Sequence, residues 1–206
     1  MRWKNKAAVK VYRKLSAKYG PPSNKDLALG GLALWKRSKL RSTCFEEILL
    51  RDEDIPHCAP YPHRDFLYTY VRYEIPIKKI MAVLSLSGSV SYDPLKKLLR
   101  ARCASEEANI ATLYLATSIG NGEMSIKKVQ REQLYKKAID DTSNSQKVAV
   151  MYHRLCNNLQ HQPGDPKITG VFKLAFPKGC CKGYSARKNT CKAVRHTDKT
   201  HSDKSH

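Results

Sequence analysis

Apolar residues recur every four positions at the start of the chain, with basic residues on the remaining faces. The members of this apolar stripe are Trp3, Ala7, Val11, Leu15 and Tyr19. Such spacing is typical of an amphipathic α-helix. Gly20 and the two prolines after it end the pattern, because proline cannot continue a helix. The sequence therefore predicts a first helix that ends at Gly20.

Two further helices are predicted in the next thirty or so residues. Ser23 is followed three residues later by an acidic residue, the spacing of a capping box, which predicts a second helix over 26–40. Thr43 and Glu46 repeat that spacing and predict a short helix through Leu50.

Apolar and polar residues then alternate over 66–75 (FLYTYVRYEI), which is the period of a β-strand. Aromatic and β-branched residues, which strands favour, are abundant in this stretch. A helix with a broad aromatic face is the alternative. A second strand is predicted over 167–176 (KITGVFKLAF), after a turn rich in proline and glycine.

The patterns between the two predicted strands are helical. The segment 77–84, the cap-like Asp93-Pro94 pair, Ser105, Ser125 and the stretch 146–160 mark these further helices. The predicted fold class is thus mainly α, a helical bundle with a small β element of two short strands and a basic, largely irregular C-terminal tail.

Charge divides the chain into three parts. Overall, 38 Lys and Arg face 18 Asp and Glu, a net charge of +20. We predict a basic amphipathic helical N-terminal region over 1–41, a mainly helical core over 42–177 and a basic Cys/His-rich tail over 178–206. The first holds twelve basic residues and one acidic residue, and the last holds eight and two. Solubility needs a net charge of only about 2–8 in a small domain, so the excess indicates a polyanionic partner.

The basic ends predict contacts with nucleic-acid phosphates, with RNA favoured over DNA. The N-terminal candidates are Lys4, Lys6, Lys10, Arg13, Lys14, Lys18, Trp35, Lys36, Arg37, Lys39 and Arg41. The candidates in the tail are Arg187, Lys188, Lys192 and Arg195. Lysine outnumbers arginine by 25 to 13, which favours phosphate contacts over base recognition. The aromatic residues Trp3, Tyr12, Tyr19 and Trp35 either stack on unpaired bases or pack into the bundle.

Cysteine and histidine form two candidate metal clusters, with zinc as the possible ion. The first, in the tail, is Cys180, Cys181, Cys191 and His196. Zinc sites usually draw ligands from spaced pairs, and two adjacent cysteines make an awkward pair, so a basic tail without metal is the alternative. The second cluster is Cys44, His57, Cys58 and His63, unless Cys44 packs in a helix core and the histidines lie on an exposed proline loop.

The sequence carries no motif that predicts an enzyme. It lacks the His-x-Glu and Cys-x-x-Cys of metal-dependent deaminases and has no phosphate-binding loop. A non-enzymatic nucleic-acid-binding protein is therefore the leading hypothesis, with the composition of a small viral protein or a ribonucleoprotein component. The alternatives are a basic, matrix-like protein on an anionic membrane surface and a zinc-organised protein-interaction adaptor. A homo-oligomer is compatible with each.

The N-terminal segment lacks the apolar core of a secretory signal. Seven cysteines, an odd number without a secretory context, do not predict a disulfide framework. We therefore expect an intracellular protein of the cytoplasm or nucleus, with thiols that are buried or bound to metal.

Overall fold

The computed structural model describes residues 3–25, 30–57 and 63–160. The helices within these ranges are α1 (Lys6–Tyr19), α2 (Ile80–Leu84), α3 (Glu106–Asn121), α4 (Ile126–Arg131), α5 (Leu134–Asp140) and α6 (Ser145–Gln160). The strands are β1 (Leu32–Lys36), β2 (Glu47–His57), β3 (His63–Arg72), β4 (Val90–Asp93) and β5 (Leu98–Cys103). Short 3₁₀ turns, Ile77–Lys79 and Asp141–Ser143, precede α2 and α6.

These five strands form one antiparallel sheet in the order β1-β2-β3-β5-β4. The protein thus combines helices with a sheet that organises the whole described fold. The prediction of a helical bundle with two short strands is wrong, because short apolar runs do not by themselves distinguish a buried strand from a helix.

One face of the sheet forms the core. The cross-strand register places Trp35, Ile48, Thr69 and Ala101 in one row, and all four are fully buried. Helix α3 packs on this face and is itself surrounded by α2, α5 and α6. Its residues are buried on nearly every side, which is the behaviour of a central helix rather than a surface helix.

The predicted first helix is confirmed as α1. Asn5 caps it, since the Asn5 side chain accepts hydrogen bonds from the backbone N–H of Ala7 and Ala8. Gly20 ends the helix with φ of 75°, a conformation that favours glycine. Leu15 is the buried member of its apolar stripe, and Ala8 beside the stripe is buried as well, whereas Ala7 is exposed.

The predicted helices after Ser105 and Ser125 are also confirmed, and each serine side chain caps its helix. The last predicted helix, over 146–160, is confirmed as α6. The strand predicted over 66–75 is confirmed as β3, which excludes the helical alternative. The strand predicted over 167–176 lies outside the described residues.

Three predicted helices are wrong. The second, over 26–40, contains β1, whose side chains alternate between buried and partly exposed. The short helix through Leu50 is instead the start of β2. The Asp93-Pro94 pair turns the chain between β4 and β5, because the Asp93 side chain accepts hydrogen bonds from the backbone N–H of Leu95 and Lys96.

Gly120 allows α3 to approach the buried ring of Tyr73. A Cβ added at this glycine would lie 2.9 Å from Cε1 and Cζ of Tyr73. Glycine to alanine inside a helix ordinarily stabilises by up to about 1 kcal/mol, but here we expect Gly120→Ala to lower the free energy of unfolding by about 1–3 kcal/mol through overpacking. Urea denaturation measures the change. The Tyr73→Phe/Gly120→Ala double variant should show a smaller penalty from the glycine change, and a stabilised Gly120→Ala protein would refute the contact.

Candidate functional site

The basic residues of α1, and Lys4 just before it, form an exposed surface. Lys4, Lys6, Lys10, Arg13 and Lys14 are all exposed. Within the described ranges none of their side chains forms an ion pair, although the backbone N–H of Lys4 donates to Asp52 Oδ2 at 2.7 Å. Lys18, in contrast, forms an ion pair with Glu106 at 3.1 Å. Helix α1 therefore offers solvent a run of positive charge while its apolar stripe faces the core.

A second group of cations follows β1. Lys36, Lys39 and Arg41 are exposed. Arg37 is also exposed, but its guanidinium donates to the carbonyl oxygens of Leu40, Thr43 and Phe45 and so holds this loop together.

The indole N–H of Trp35 donates to the carbonyl oxygen of Gly20 at 2.9 Å. This bond joins the end of α1 to the end of β1. We call the cations of α1 and of the 36–41 loop together the cationic edge.

Trp35, a predicted nucleic-acid contact, is not part of this surface. Its side chain is fully buried, and its ring lies 5.9 Å from that of Tyr12, which in turn lies 5.6 Å from Trp3. The Tyr19 hydroxyl bonds to Glu106, and burial, followed by the charge of Glu106, raises the pKa of Tyr19 far above its ordinary value. The prediction that Trp35 packs into the core is confirmed. Successive side chains of β1 point to opposite faces of the sheet, and this alternation places the Trp35 ring on the buried face.

Sequence reasoning missed an arginine–tyrosine surface on the other face of the sheet. Tyr68 and Tyr70 of β3 lie opposite Arg102 and Arg100 of β5. The Arg100 guanidinium lies 5.4 Å from the Tyr68 ring centre and 6.0 Å from that of Tyr70, within the range of cation–π attraction. Arg100 Nε is buried without a hydrogen-bond partner in the described part of the chain.

A cleft of about 500 Å³ opens beside this pair, lined by Tyr70, Arg100 and Lys96 together with Glu47 and Asp93. Tyr68 itself is buried, and its hydroxyl bonds to Glu53. Burial, followed by this hydrogen bond, raises the pKa of Tyr68 above its ordinary value. Tyr70, which is half-buried, is therefore the ring of this surface that a ligand can reach.

The β2–β3 hairpin brings two of the predicted metal ligands together. His57 and His63 are paired in the strand register, and His57 Nδ1 lies 3.1 Å from His63 Nε2. Asp65 adds a fully buried carboxylate. Its Oδ1 lies 3.0 Å from His63 Nε2, and its Oδ2 lies 3.4 Å from His57 Nδ1. We call these three residues the His–Asp cluster.

Residues from β5 and from the turn before β4 complete the surroundings. Arg102 Nε donates to Asp65 Oδ2 at 2.9 Å, and Ser89 Oγ lies 2.7 Å from His57 Nδ1. Burial lowers the pKa of His57 below its ordinary value, and the nearby Asp65 carboxylate offsets only part of this effect. The lowered pKa favours the uncharged form of the His57 imidazole.

Cys103, at the end of β5, also borders the cluster. Its Sγ lies 3.5 Å from His63 Nε2, and burial raises the pKa of this thiol to about 12. Sequence reasoning missed Asp65, Ser89, Arg102 and Cys103. The only local signal was the His-x-Asp spacing of His63 and Asp65, since the others are distant in sequence.

Cys44, predicted as a ligand with His57, Cys58 and His63, is not in the cluster. It forms a disulfide with Cys156 of α6, with a Cα–Cα distance of 5.6 Å. The expectation that the cysteines form no disulfide is therefore wrong for this pair, which sequence separation concealed. Cys58 lies outside the described residues.

The tail candidates also lie outside the described residues. These are Cys180, Cys181, Cys191 and His196 for metal, and Arg187, Lys188, Lys192 and Arg195 for nucleic acid.

The cluster does not have the arrangement of a Ser-His-Asp triad. In a triad the serine and the carboxylate bond to opposite nitrogens of the imidazole ring. Here Ser89 Oγ and Asp65 Oδ2 both approach Nδ1 of His57. Ser89 is also almost fully buried. The polar atoms of these side chains therefore approach one another, and the arrangement does not activate the serine.

Comparison with protein-family models, with curated proteins and with solved structures gives no match to this chain. None of the helices in the described ranges is both long enough and apolar enough to cross a membrane. Function is therefore inferred from the surfaces and clusters described above.

Proposed function

We propose that the protein binds nucleic acid, with RNA favoured, and that it does so without catalysis through the cationic edge and the basic C-terminal segment. The carrying observation is the run of exposed cations on α1, namely Lys6, Lys10, Arg13 and Lys14, whose side chains form no ion pair among the described residues. Cations that face solvent without an internal partner neutralise phosphates and release counterions, which gives salt-sensitive binding with little sequence preference.

The arginine–tyrosine surface supplies the stacking that the buried Trp35 cannot. Tyr70 offers an aromatic ring, and the Arg100 guanidinium lies 6.0 Å from the centre of that ring. A ring next to a cation is the usual platform for an unpaired base and its phosphate. We therefore assign base stacking to Tyr70 and backbone contacts to the cationic edge.

The packing of α1 argues against the membrane alternative. A helix that lies on a bilayer inserts its apolar face between the lipids. The apolar face of α1 is already packed against the core, since Ala8 and Leu15 are buried and Tyr12 packs against the Trp35 ring. An anionic membrane would meet only the cations of this helix, which is a weaker basis for attachment.

We place the protein in the cytoplasm or nucleus as part of the same proposal, because a nucleic-acid partner is found there. The Cys44–Cys156 disulfide must then form and persist in a compartment where thiols are ordinarily reduced. Alkylation of thiols in intact cells before lysis would measure the oxidised fraction.

Removing three cations of α1 should weaken RNA binding and flatten its salt dependence. We expect Lys6→Gln/Lys10→Gln/Lys14→Gln to reduce the log–log salt slope by about 2, because each contact to a single strand contributes roughly 0.7. For the same reason, the Kd should rise by about 10- to 100-fold at low salt. Fluorescence anisotropy with a labelled single-stranded RNA over a salt series measures both.

The matched control removes the same number of exposed lysines elsewhere, in Lys127→Gln/Lys128→Gln/Lys137→Gln. This variant should keep nearly the wild-type slope. An equal loss in both variants would show that only net charge matters and would refute a defined edge. Retention on anionic liposomes without affinity for RNA would favour the membrane alternative instead.

A further inference from the structure

In the His–Asp cluster, one nitrogen of His63 has more polar neighbours than it can form hydrogen bonds with. His63 Nε2 faces His57 Nδ1 at 3.1 Å, Asp65 Oδ1 at 3.0 Å and Cys103 Sγ at 3.5 Å. A ring nitrogen holds at most one proton, directed along the plane of the ring, so it can donate to one neighbour. Among the described residues, Asp65 Oδ1 makes no hydrogen bond of suitable geometry although it is fully buried and lies 3.0 Å from His63 Nε2.

A buried carboxylate oxygen without a partner is costly, and a cation among these atoms would satisfy all of them. The donor atoms of His57, His63 and Asp65 all lie within 4.8 Å of one another. Bonds of 2.0–2.1 Å in a tetrahedron place ligand atoms about 3.3 Å apart. His63 Nε2 lies 3.1 Å from His57 Nδ1 and 3.0 Å from Asp65 Oδ1, and both separations are close to that value.

We propose that His57, His63 and Asp65 bind a divalent transition-metal ion, with zinc as the best fit to two imidazoles and one carboxylate. Imidazole nitrogen suits zinc and its neighbours in the transition series, whereas calcium and magnesium take oxygen ligands almost exclusively. This site differs from both clusters predicted from sequence, because it excludes Cys44 and gains Asp65. It also goes beyond the proposed nucleic-acid binding and does not depend on it.

The surroundings hold these ligands in place. Arg102 donates to Asp65 Oδ2, which leaves Oδ1 for the ion, and outer contacts of this kind orient metal-binding carboxylates. The positive charge of Arg102 offsets part of the carboxylate charge, so we expect weaker affinity than at a site without it. Gly88 makes room for the His57 ring, because a Cβ there would lie 3.0 Å from His57 Nε2.

The ion would link β2 to β3 at the end of the hairpin where the chain passes from one strand to the other. His57 belongs to β2, while His63 and Asp65 belong to β3, and Arg102 connects the group to β5. Zinc binding should therefore raise the thermal stability of the folded chain, since a ligand that binds only the folded state stabilises it.

Zinc content tests the site once the four candidate ligands in the tail have been substituted, so that they cannot bind zinc themselves. The background is the full chain with Cys180→Ser, Cys181→Ser, Cys191→Ser and His196→Ala. After dialysis against zinc and then buffer, we expect about one zinc per chain by mass spectrometry. His57→Ala and His63→Ala, each in this background, should lose it. His153→Ala, which changes an exposed histidine on α6, should retain it.

Thermal unfolding supplies an independent reading. Zinc at about a hundredfold above its Kd should raise the Tm of the background protein by roughly 5 °C or more, and should not raise that of His63→Ala. Cobalt should give the intense visible bands of a tetrahedral ion in the background and not in His63→Ala. Circular dichroism establishes that each variant is folded. A folded background protein that holds no zinc, or a folded His57→Ala/His63→Ala protein that retains it, overturns the proposal.

Discussion

Loss of the Cys44–Cys156 disulfide is expected to lower the free energy of unfolding by about 3–5 kcal/mol. The two cysteines are 112 residues apart, and a cross-link that closes a loop of this length removes much of the conformational freedom of the unfolded chain. The bond also anchors α6 to the loop before β2, where the Tyr152 ring packs on Phe45 at 5.6 Å and its hydroxyl accepts from the backbone N–H of Cys44.

Urea denaturation of Cys44→Ser/Cys156→Ser, with and without reductant, measures this contribution. The variant should resemble the reduced wild type and should itself be insensitive to reductant. Cys191→Ser is the control for cysteines outside the pair, and it should keep the wild-type response to reductant. A wild-type midpoint that does not move when the protein is reduced would show that the bond contributes nothing.

Trp35→Ala is expected to cost about 3–5 kcal/mol, the range for truncating a large buried aromatic residue. The side chain is fully buried, its ring packs on Tyr12, and its N–H donates to Gly20. The substitution therefore removes core volume and also the bond that joins α1 to β1. This cost is a large fraction of the stability of a whole domain, which is only about 5–15 kcal/mol.

The milder Trp35→Phe separates a core role from a binding role. It keeps an aromatic ring and loses the hydrogen bond, so stability should fall while RNA affinity of the folded protein stays at the wild-type value. Urea denaturation and anisotropy on the same preparation give the two numbers. A folded Trp35→Phe protein with wild-type stability and at least tenfold weaker RNA binding would restore the ring to the binding surface. Tyr70→Leu is the matched contrast, with reduced RNA affinity expected and little change in the core.

The helices with strong end signals were predictable from the sequence. α1 has four-residue spacing and a glycine stop, and Ser105 and Ser125 each cap the helix that they precede. These signals are local, since a serine hydroxyl satisfies backbone N–H groups within its own turn. The sheet was mostly not predictable, because a strand is fixed by partners distant in the chain. The LALWK run of β1 buries alternate residues only because β2 lies beside it.

The candidate sites follow the same division. The exposed cations of α1 were predictable because the apolar stripe of an amphipathic helix shows which residues lie on its solvent-facing side. The His–Asp cluster was half predictable, because His57 and His63 stood out by residue type but Asp65, at the end of the proline-rich loop, was not singled out. Arg102 and Ser89 reach the cluster only through the register of β5 with its neighbours. The cysteine pair was misassigned, because nothing local links Cys44 to Cys156.

The bond between Cys44 and Cys156 encloses the stretch of chain that contains β2 to β5 and most of α6, whereas α1 and the C-terminal segment lie outside it. A protease that cuts once between these cysteines would leave two fragments still covalently joined, and the cut would be seen only after reduction. Trimming at either end of the chain would instead release basic peptides at once. Limited digestion, followed by gels run with and without thiol, therefore distinguishes cuts in the cationic ends from cuts in the part of the chain that the disulfide encloses.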